Sequence, residues 1–145
     1  MKLRIEPATP EALAEQTTWR YEPPYDLYDD DGKPVRNPER VFVARDEEGA
    51  LVGFFYFEQR KDGLFYGLGM RPDLTGRGLG PGFVEAGIEF ARTMFGPERI
   101  VLDVADFNLR ARTVYERAGF RVTGQHTETF GDHGEVLFVD MELIL

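Results

Sequence analysis

Between residues 75 and 82 the chain reads Thr75-Gly76-Arg77-Gly78-Leu79-Gly80-Pro81-Gly82, with glycine at every second position. No other stretch constrains the fold as tightly. It follows a candidate strand, Leu64–Met70, and precedes an amphipathic helix with Phe83, Val84, Gly87, Ile88, Ala91 and Phe95 on one face, stopped at Gly96-Pro97. Each glycine costs about 0.5–1 kcal/mol in conformational entropy, so a run this dense needs a reason. Bare backbone N–H groups at a helix start, where partial positive charge gathers, make a cradle for a phosphate. The alternative is a tight strand-to-helix turn that binds nothing. Two familiar phosphate patterns fail on the letters. A P-loop needs Lys-Ser/Thr where Pro81-Gly82 stands, and a dinucleotide fingerprint needs glycine or alanine at Pro81 or at Phe83.

Around this turn, periodicity predicts strands at Leu3–Pro7, Val41–Arg45, Leu51–Gln59, Ile100–Ala105, Phe120–Gly124 and Glu135–Leu145. Helices are predicted at Pro10–Trp19, with Thr9 as N-cap, and at Leu109–Ala118, with Asn108 as N-cap and Gly119 as the stop. Arg20–Arg40, with four prolines and the acidic run Asp29-Asp30-Asp31-Gly32, reads as a long irregular connection with room for a helical turn. The order of elements suggests an α+β chain, a mixed sheet flanked by helices, in one domain spanning 1–145.

Composition removes several function classes. The chain has no cysteine and no serine, which excludes thiolate nucleophiles, Cys-based metal sites and Ser-His-Asp catalysis. Its net charge of −9 repels nucleic acid and anionic membrane and is compatible with amine partners. The apolar runs are too short to span a bilayer and no signal-peptide core is present, so the expected location is cytoplasmic.

Met70-Arg71-Pro72, followed by Thr75-Gly76-Arg77-Gly78-Leu79-Gly80, resembles motif A of the GNAT superfamily of acyl-CoA-dependent N-acetyltransferases. Asn108-Leu109-Arg110-Ala111-Arg112-Thr113-Val114-Tyr115-Glu116-Arg117-Ala118-Gly119-Phe120 is similar to its motif B. The resemblance covers roughly Val41 to the C-terminus. It implies a GNAT fold, a mostly antiparallel twisted sheet flanked by helices, with acetyl-CoA as cosubstrate and no metal. By position, the N–H groups of Gly76, Gly78 and Gly80, with Arg77 and Leu79 in the same turn, would hold the CoA pyrophosphate. Backbone from Leu68 to Met70 would hold the pantetheine arm, Asn108 would contact it, and Tyr115 would be the general acid. Arg77, Arg110 and Arg112 are candidates to meet the CoA phosphates, with exposed arginines on solvated helix faces as the alternative. Thr75 replaces the usual Arg or Gln and Pro81 lacks one customary donor, so weaker or slightly rearranged CoA binding is expected.

With no Cys or Ser, direct transfer to the amine in a ternary complex is favoured over an acyl-enzyme. Tyr115 suits the acid role because a phenol titrates near an alkyl thiol; packing against the sheet is the structural alternative. Leu64–Met70 contains no acid, which leaves Glu58 as the nearest candidate base, with Asp103 and a water chain as alternatives. His126 and His133 read as hairpin-loop residues and not as metal ligands. The acceptor side is expected at Trp19, Tyr21, Glu22, Tyr25 and Asp26, within an acidic and aromatic stretch suited to an amine by ion pairing and cation–π contact. A solvated acidic loop is the alternative reading. The expected acceptor is a primary amine of a small molecule or peptide, with a small molecule, a peptide N-terminus and a lysine side chain all open. A homodimer is an open expectation, and the rival functions are a non-catalytic acyl-CoA sensor or a protein-interaction adaptor.

Overall fold

The computed structural model describes residues 2–30 and 35–145; Asp31 and Gly32 of the acidic run lie outside them. Seven strands, β1 (Arg4–Pro7), β2 (Val41–Arg45), β3 (Leu51–Arg60), β4 (Gly63–Met70), β5 (Arg99–Ala105), β6 (Arg121–Phe130) and β7 (Gly134–Ile144), form one sheet in the order β1-β2-β3-β4-β5-β7-β6. Every neighbouring pair is antiparallel except β4 and β5. Three helices accompany it: α1 (Pro10–Gln16), α2 (Gly80–Phe95) and α3 (Leu109–Arg117). The mixed, mostly antiparallel sheet flanked by helices is as the sequence predicts.

The core forms where α2 and α3 lie on one face of the sheet. Ile88, Ala91, Phe83 and Val84 from α2 meet Phe55, Phe57, Leu64 and Tyr66 from β3 and β4. The aromatic load of the chain is concentrated here: Phe55 stacks on Phe83 at 4.6 Å and Phe57 on Tyr66 at 5.4 Å. Such offset pairs contribute about 0.5–1.5 kcal/mol each beyond area burial. A smaller cluster on the opposite face joins Trp19 and Ala12 to Val43 and Leu51.

Two element bounds are corrected. α1 ends at Gln16, short of Trp19; Thr9 caps it by accepting from the Ala12 N–H at 3.1 Å. The irregular connection does hold helical turns, at Tyr25–Tyr28 and Pro38–Arg40 among the described residues, both of the 3-10 kind. The strand expected at Phe120–Gly124 runs on to Phe130, because β7 pairs with it along its whole length while its own side chains stay mostly exposed. That places His126 in mid-strand, with the hairpin at Gly131–His133.

The feature that positions the site is a break in the sheet. β4 and β5 pair only at Leu64↔Ile100 and Phe65↔Val101, then diverge. Arg71 donates its N–H to Val52 of β3 at 2.8 Å. By strand alternation Leu68 and Met70 therefore turn their backbone groups the other way, into the gap that β5 has left.

Candidate active site

A cavity of about 400 Å³ occupies this gap. Its walls come from β4 (Phe65–Met70), the glycine turn, α3, β5 and the 3-10 turn at Tyr25–Tyr28. At one end the turn crosses from β4 to α2. Gly76 and Gly78 take φ of +73° and +78°, which side-chain-bearing residues avoid. No side chain caps the start of α2, so its first N–H groups remain available to a ligand. Pro81, in the first turn of α2, has no N–H to offer and costs the helix nothing. Thr75 donates its hydroxyl to the Pro72 carbonyl at 2.7 Å and so closes the turn from within.

Leu68, Met70, Gly76, Gly78, Gly80 and Asn108 all line the cavity, whereas Arg77 is exposed and, like Leu79, stays off the wall. The Met70 carbonyl accepts the Tyr21 hydroxyl at 2.7 Å. The Leu68 N–H and C=O and the Met70 N–H are then what β4 presents to the gap. Asn108 caps α3 by accepting from the Ala111 N–H at 3.2 Å, and its amide reaches the Tyr28 hydroxyl at 3.4 Å. This donor set fits the cosubstrate that the motifs imply. An extended strand edge faces a narrow slot, a glycine turn offers N–H groups at its mouth, and the Arg110 guanidinium lies beside them, 3.3 Å from where a Gly76 Cβ would be.

The same cavity is lined by Tyr21, Tyr25, Tyr28, Phe54 and Phe65 together with Asp103 and Tyr115, and the Arg110 guanidinium lies 4.8 Å over the Tyr25 ring. Asp103 is the only carboxylate on the wall among the described residues. Burial, reinforced by the charges of Glu128 and Asp140, raises its pKa above the ordinary aspartate value. Burial also pushes the Tyr115 phenol well above its usual value, with Tyr28 and Asp103 adding to the effect, so this hydroxyl keeps its proton at neutral pH. It makes no hydrogen bond among the described residues, which leaves it available to a ligand.

Glu58 is placed elsewhere. Its carboxylate lies among Arg40, Arg60 and the Tyr56 hydroxyl, off the cavity wall. Hydrogen bonds from Arg60 and Tyr56 lower its pKa below the usual carboxylate range, which makes it a poor proton acceptor. Of the acceptor-side candidates, Tyr21 and Tyr25 line the cavity. Trp19 packs in the second core cluster, Glu22 is exposed, and Asp26 faces a separate groove 3.9 Å from His133. Arg110, offered to the CoA phosphates on sequence grounds, and Tyr28, the last residue of the acidic and aromatic stretch, line the cavity, whereas Arg112 does not; Phe54 carries no sequence signal, being one phenylalanine among several in its strand.

Residues 7–120 match the model of the acetyltransferase (GNAT) family. This chain belongs to the GNAT acetyltransferase family. The match begins well before the Val41 boundary drawn from the motifs. A mycothiol acetyltransferase of Propionibacterium freudenreichii subsp. shermanii is 43% identical over 91 residues, covering 59% of this chain and 29% of that protein. Another, from Mycobacteroides abscessus, is 34% identical over 125 residues, covering 83% of this chain and 41% of that protein. The GNAT chain described here thus spans less than half the length of these curated relatives. Among solved structures, a chimeric spermidine N-acetyltransferase from Vibrio cholerae superposes with a TM-score of 0.78 at 19% identity, covering 99% of this chain and 96% of that one. The spermidine N-acetyltransferase of Vibrio cholerae in complex with CoA and spermine gives 0.73 at 21% identity, covering 98% and 95%. At these identities the likeness shows a shared GNAT fold. No described helix is long and apolar enough to cross a membrane.

Proposed function

We propose that this GNAT domain is an N-acetyltransferase that moves an acetyl group from acetyl-CoA to a primary amine of a small molecule or peptide, by direct transfer in a ternary complex. The observation that carries this is one cavity holding both halves of the chemistry. Its wall carries an unpaired strand edge and a glycine turn together with a lone carboxylate and a protonated tyrosine. Acetyl-CoA would supply the activated thioester. The Leu68 and Met70 backbone would hold its extended arm, and the N–H groups of the glycine turn, with Arg110, would receive its phosphates. Asp103 would attract the ammonium group and take its proton. Tyr115 would donate a proton to the leaving sulfur, whose basicity the same desolvation raises.

The wall carries tyrosine rings, Asp103 and, among the described residues, one cation, Arg110, whose guanidinium lies 4.8 Å over the Tyr25 ring; a cationic amine would meet the remaining rings and Asp103. Structural neighbours named for spermidine support an amine acceptor of this kind.

Two measurements test the reading. Acetyl-CoA at 100 times its Kd should stabilise the fold by about 2.7 kcal/mol, a shift of several degrees, while NAD should not. Thiol release should then be followed with spermidine, phenethylamine, glucosamine and a dipeptide with a free N-terminus. Stabilisation without turnover of any amine would favour the acyl-CoA sensor. No stabilisation would mean the glycine turn binds no CoA, and the enzyme reading would fall.

A further inference from the structure

Acetyl transfer to an ammonium group releases a net proton. The C–N bond forms as the C–S bond breaks, and the nitrogen loses two protons. One ends on sulfur by way of Tyr115; the other has to leave the cavity, where the Asp103 side chain is 29% exposed. The strands behind Asp103 hold a route for it.

Asp103 on β5 lies directly opposite Asp140 on β7, which in turn lies opposite Gly124 on β6. His126 follows two residues later on the same face of β6. Gly124 has no side chain to separate them, and the Asp140 carboxylate reaches the His126 ring, 3.0 Å from Nδ1. The other ring nitrogen, Nε2, stands 3.7 Å from the Asp103 carboxylate and 3.8 Å from that of Glu128. Phe138 of β7 stacks on the ring at 5.6 Å and fixes its plane. The imidazole side chain is 36% exposed, so it touches the cavity carboxylate on one side and solvent on the other. The charged groups facing it are thus Asp103 from β5, Asp140 from β7 and Glu128 from β6, and the positive charge of Arg60 from β3 acts on Asp103.

We propose that His126, oriented by Asp140, is the proton outlet of Asp103, and that the imidazole's protonation state governs how fast the amine can be discharged. The proposal rests on the acetyltransferase reading and on Asp103 as the group that meets the amine. In the working state His126 is neutral, with its proton on Nδ1 donated to Asp140 and its Nε2 lone pair turned to Asp103. Asp103 takes a proton from the ammonium and passes it to Nε2. The 3.7 Å gap is spanned by one bridging water or a small turn of either side chain. The imidazolium, held by Asp140, then gives the proton to bulk water. When His126 is already protonated, Nε2 accepts nothing and its charge competes with the substrate ammonium for Asp103. The Asp140 hydrogen bond, aided by the charges of Asp140, Asp103 and Glu128, raises the imidazole's pKa above its ordinary value. The acid side of the rate profile should therefore lie above the ordinary histidine range, as a property of the coupled pair.

The test uses the whole chain with acetyl-CoA and the fastest amine of the panel, recording kcat/KM against pH for wild type, H126Q, D140N and D103N. In parallel, NMR follows the imidazole titration without any acceptor, and H133Q assigns the signals of the two histidines. In D140N the imidazole titration and the acid limb should move together to lower pH. H126Q should lose that limb and drop in kcat on the order of 10-fold, while D103N drops on the order of 100-fold. The KM for acetyl-CoA should hold in all three. If D103N is inactive but H126Q keeps the wild-type limb and rate, the outlet is overturned and Asp103 stands. A fully active D103N would overturn both. Should H126Q fail to fold, D140N decides alone: a limb unmoved from wild type sinks the proposal.

Discussion

Glu58 is clasped by Arg40 and Arg60 and receives the Tyr56 hydroxyl, whereas Asp103 stands in a wall of aromatic rings, where burial and the charges of Glu128 and Asp140 outweigh those of His126 and Arg60. The first is held ionised and off the cavity; the second is partly desolvated and faces it. E58Q is accordingly expected to keep kcat within about twofold, because the carboxylate lies off the cavity wall. Y115F removes one oxygen that makes no hydrogen bond among the described residues, so its melting temperature should stay near wild type. Its kcat should fall on the order of 10–100-fold at unchanged KM for acetyl-CoA. Full activity in Y115F would remove the acid role. At this scale the sequence was partly readable. Asp103 stood out as a lone carboxylate in an apolar strand, but its meaning depends on β6 and β7, about 20 and 40 residues further on, and no local pattern encodes that pairing.

α2 packs tightly on β4 because Gly87 lets it. A Cβ at that position would lie 1.9 Å from the Tyr66 hydroxyl oxygen, which already donates to the Val84 carbonyl at 3.0 Å. G87A should destabilise the fold by about 1–3 kcal/mol, as overpacking generally does, seen as a lowered melting temperature. G78A probes the turn differently, since its Cβ would meet nothing within 4 Å and only the positive φ is violated. The expected cost is about 1–2 kcal/mol together with a weaker Kd for acetyl-CoA by titration. Undiminished affinity in a folded G78A would argue against the cradle. Helices α2 and α3 were legible because a buried stripe and glycine stops mark them at the 3.6-residue period. β6 was cut short in the reading because its polar, outward side chains imitate a loop, and only the ladder to β7 holds it extended.

Across the whole molecule, the fold class followed from two motifs in the right order, but the strand order did not, since backbone pairing over long separations leaves no periodic trace. Nor does the sequence say that Glu142 gathers Arg99 from β5 and Arg121 from β6 across the sheet. The global response to pH carries a contribution from His126. Its pKa is raised in the folded state, so the folded chain binds that proton more tightly than the unfolded one. The resulting stability is complete below the ordinary histidine value and drains away as pH rises through the folded value. The melting-temperature advantage of wild type over H126Q should thus shrink from pH 6 to pH 8. A gap that stays constant would show that His126 titrates as in the unfolded chain.

The divergence of β4 from β5 also has a consequence for motion. A sheet that parts after two paired positions keeps an empty lane in its middle, bordered by the amides of Leu68 and Met70. A pantetheine arm lying in that lane would behave as a guest strand, and loading the donor would finish the sheet as well as fill a pocket. Deuterium uptake at those two amides should then be fast in the free protein and slow in the loaded one. The donor would act as the missing seam of the fold, drawing the β1–β4 and β5–β7–β6 halves of the sheet into one stiffer body before any amine arrives.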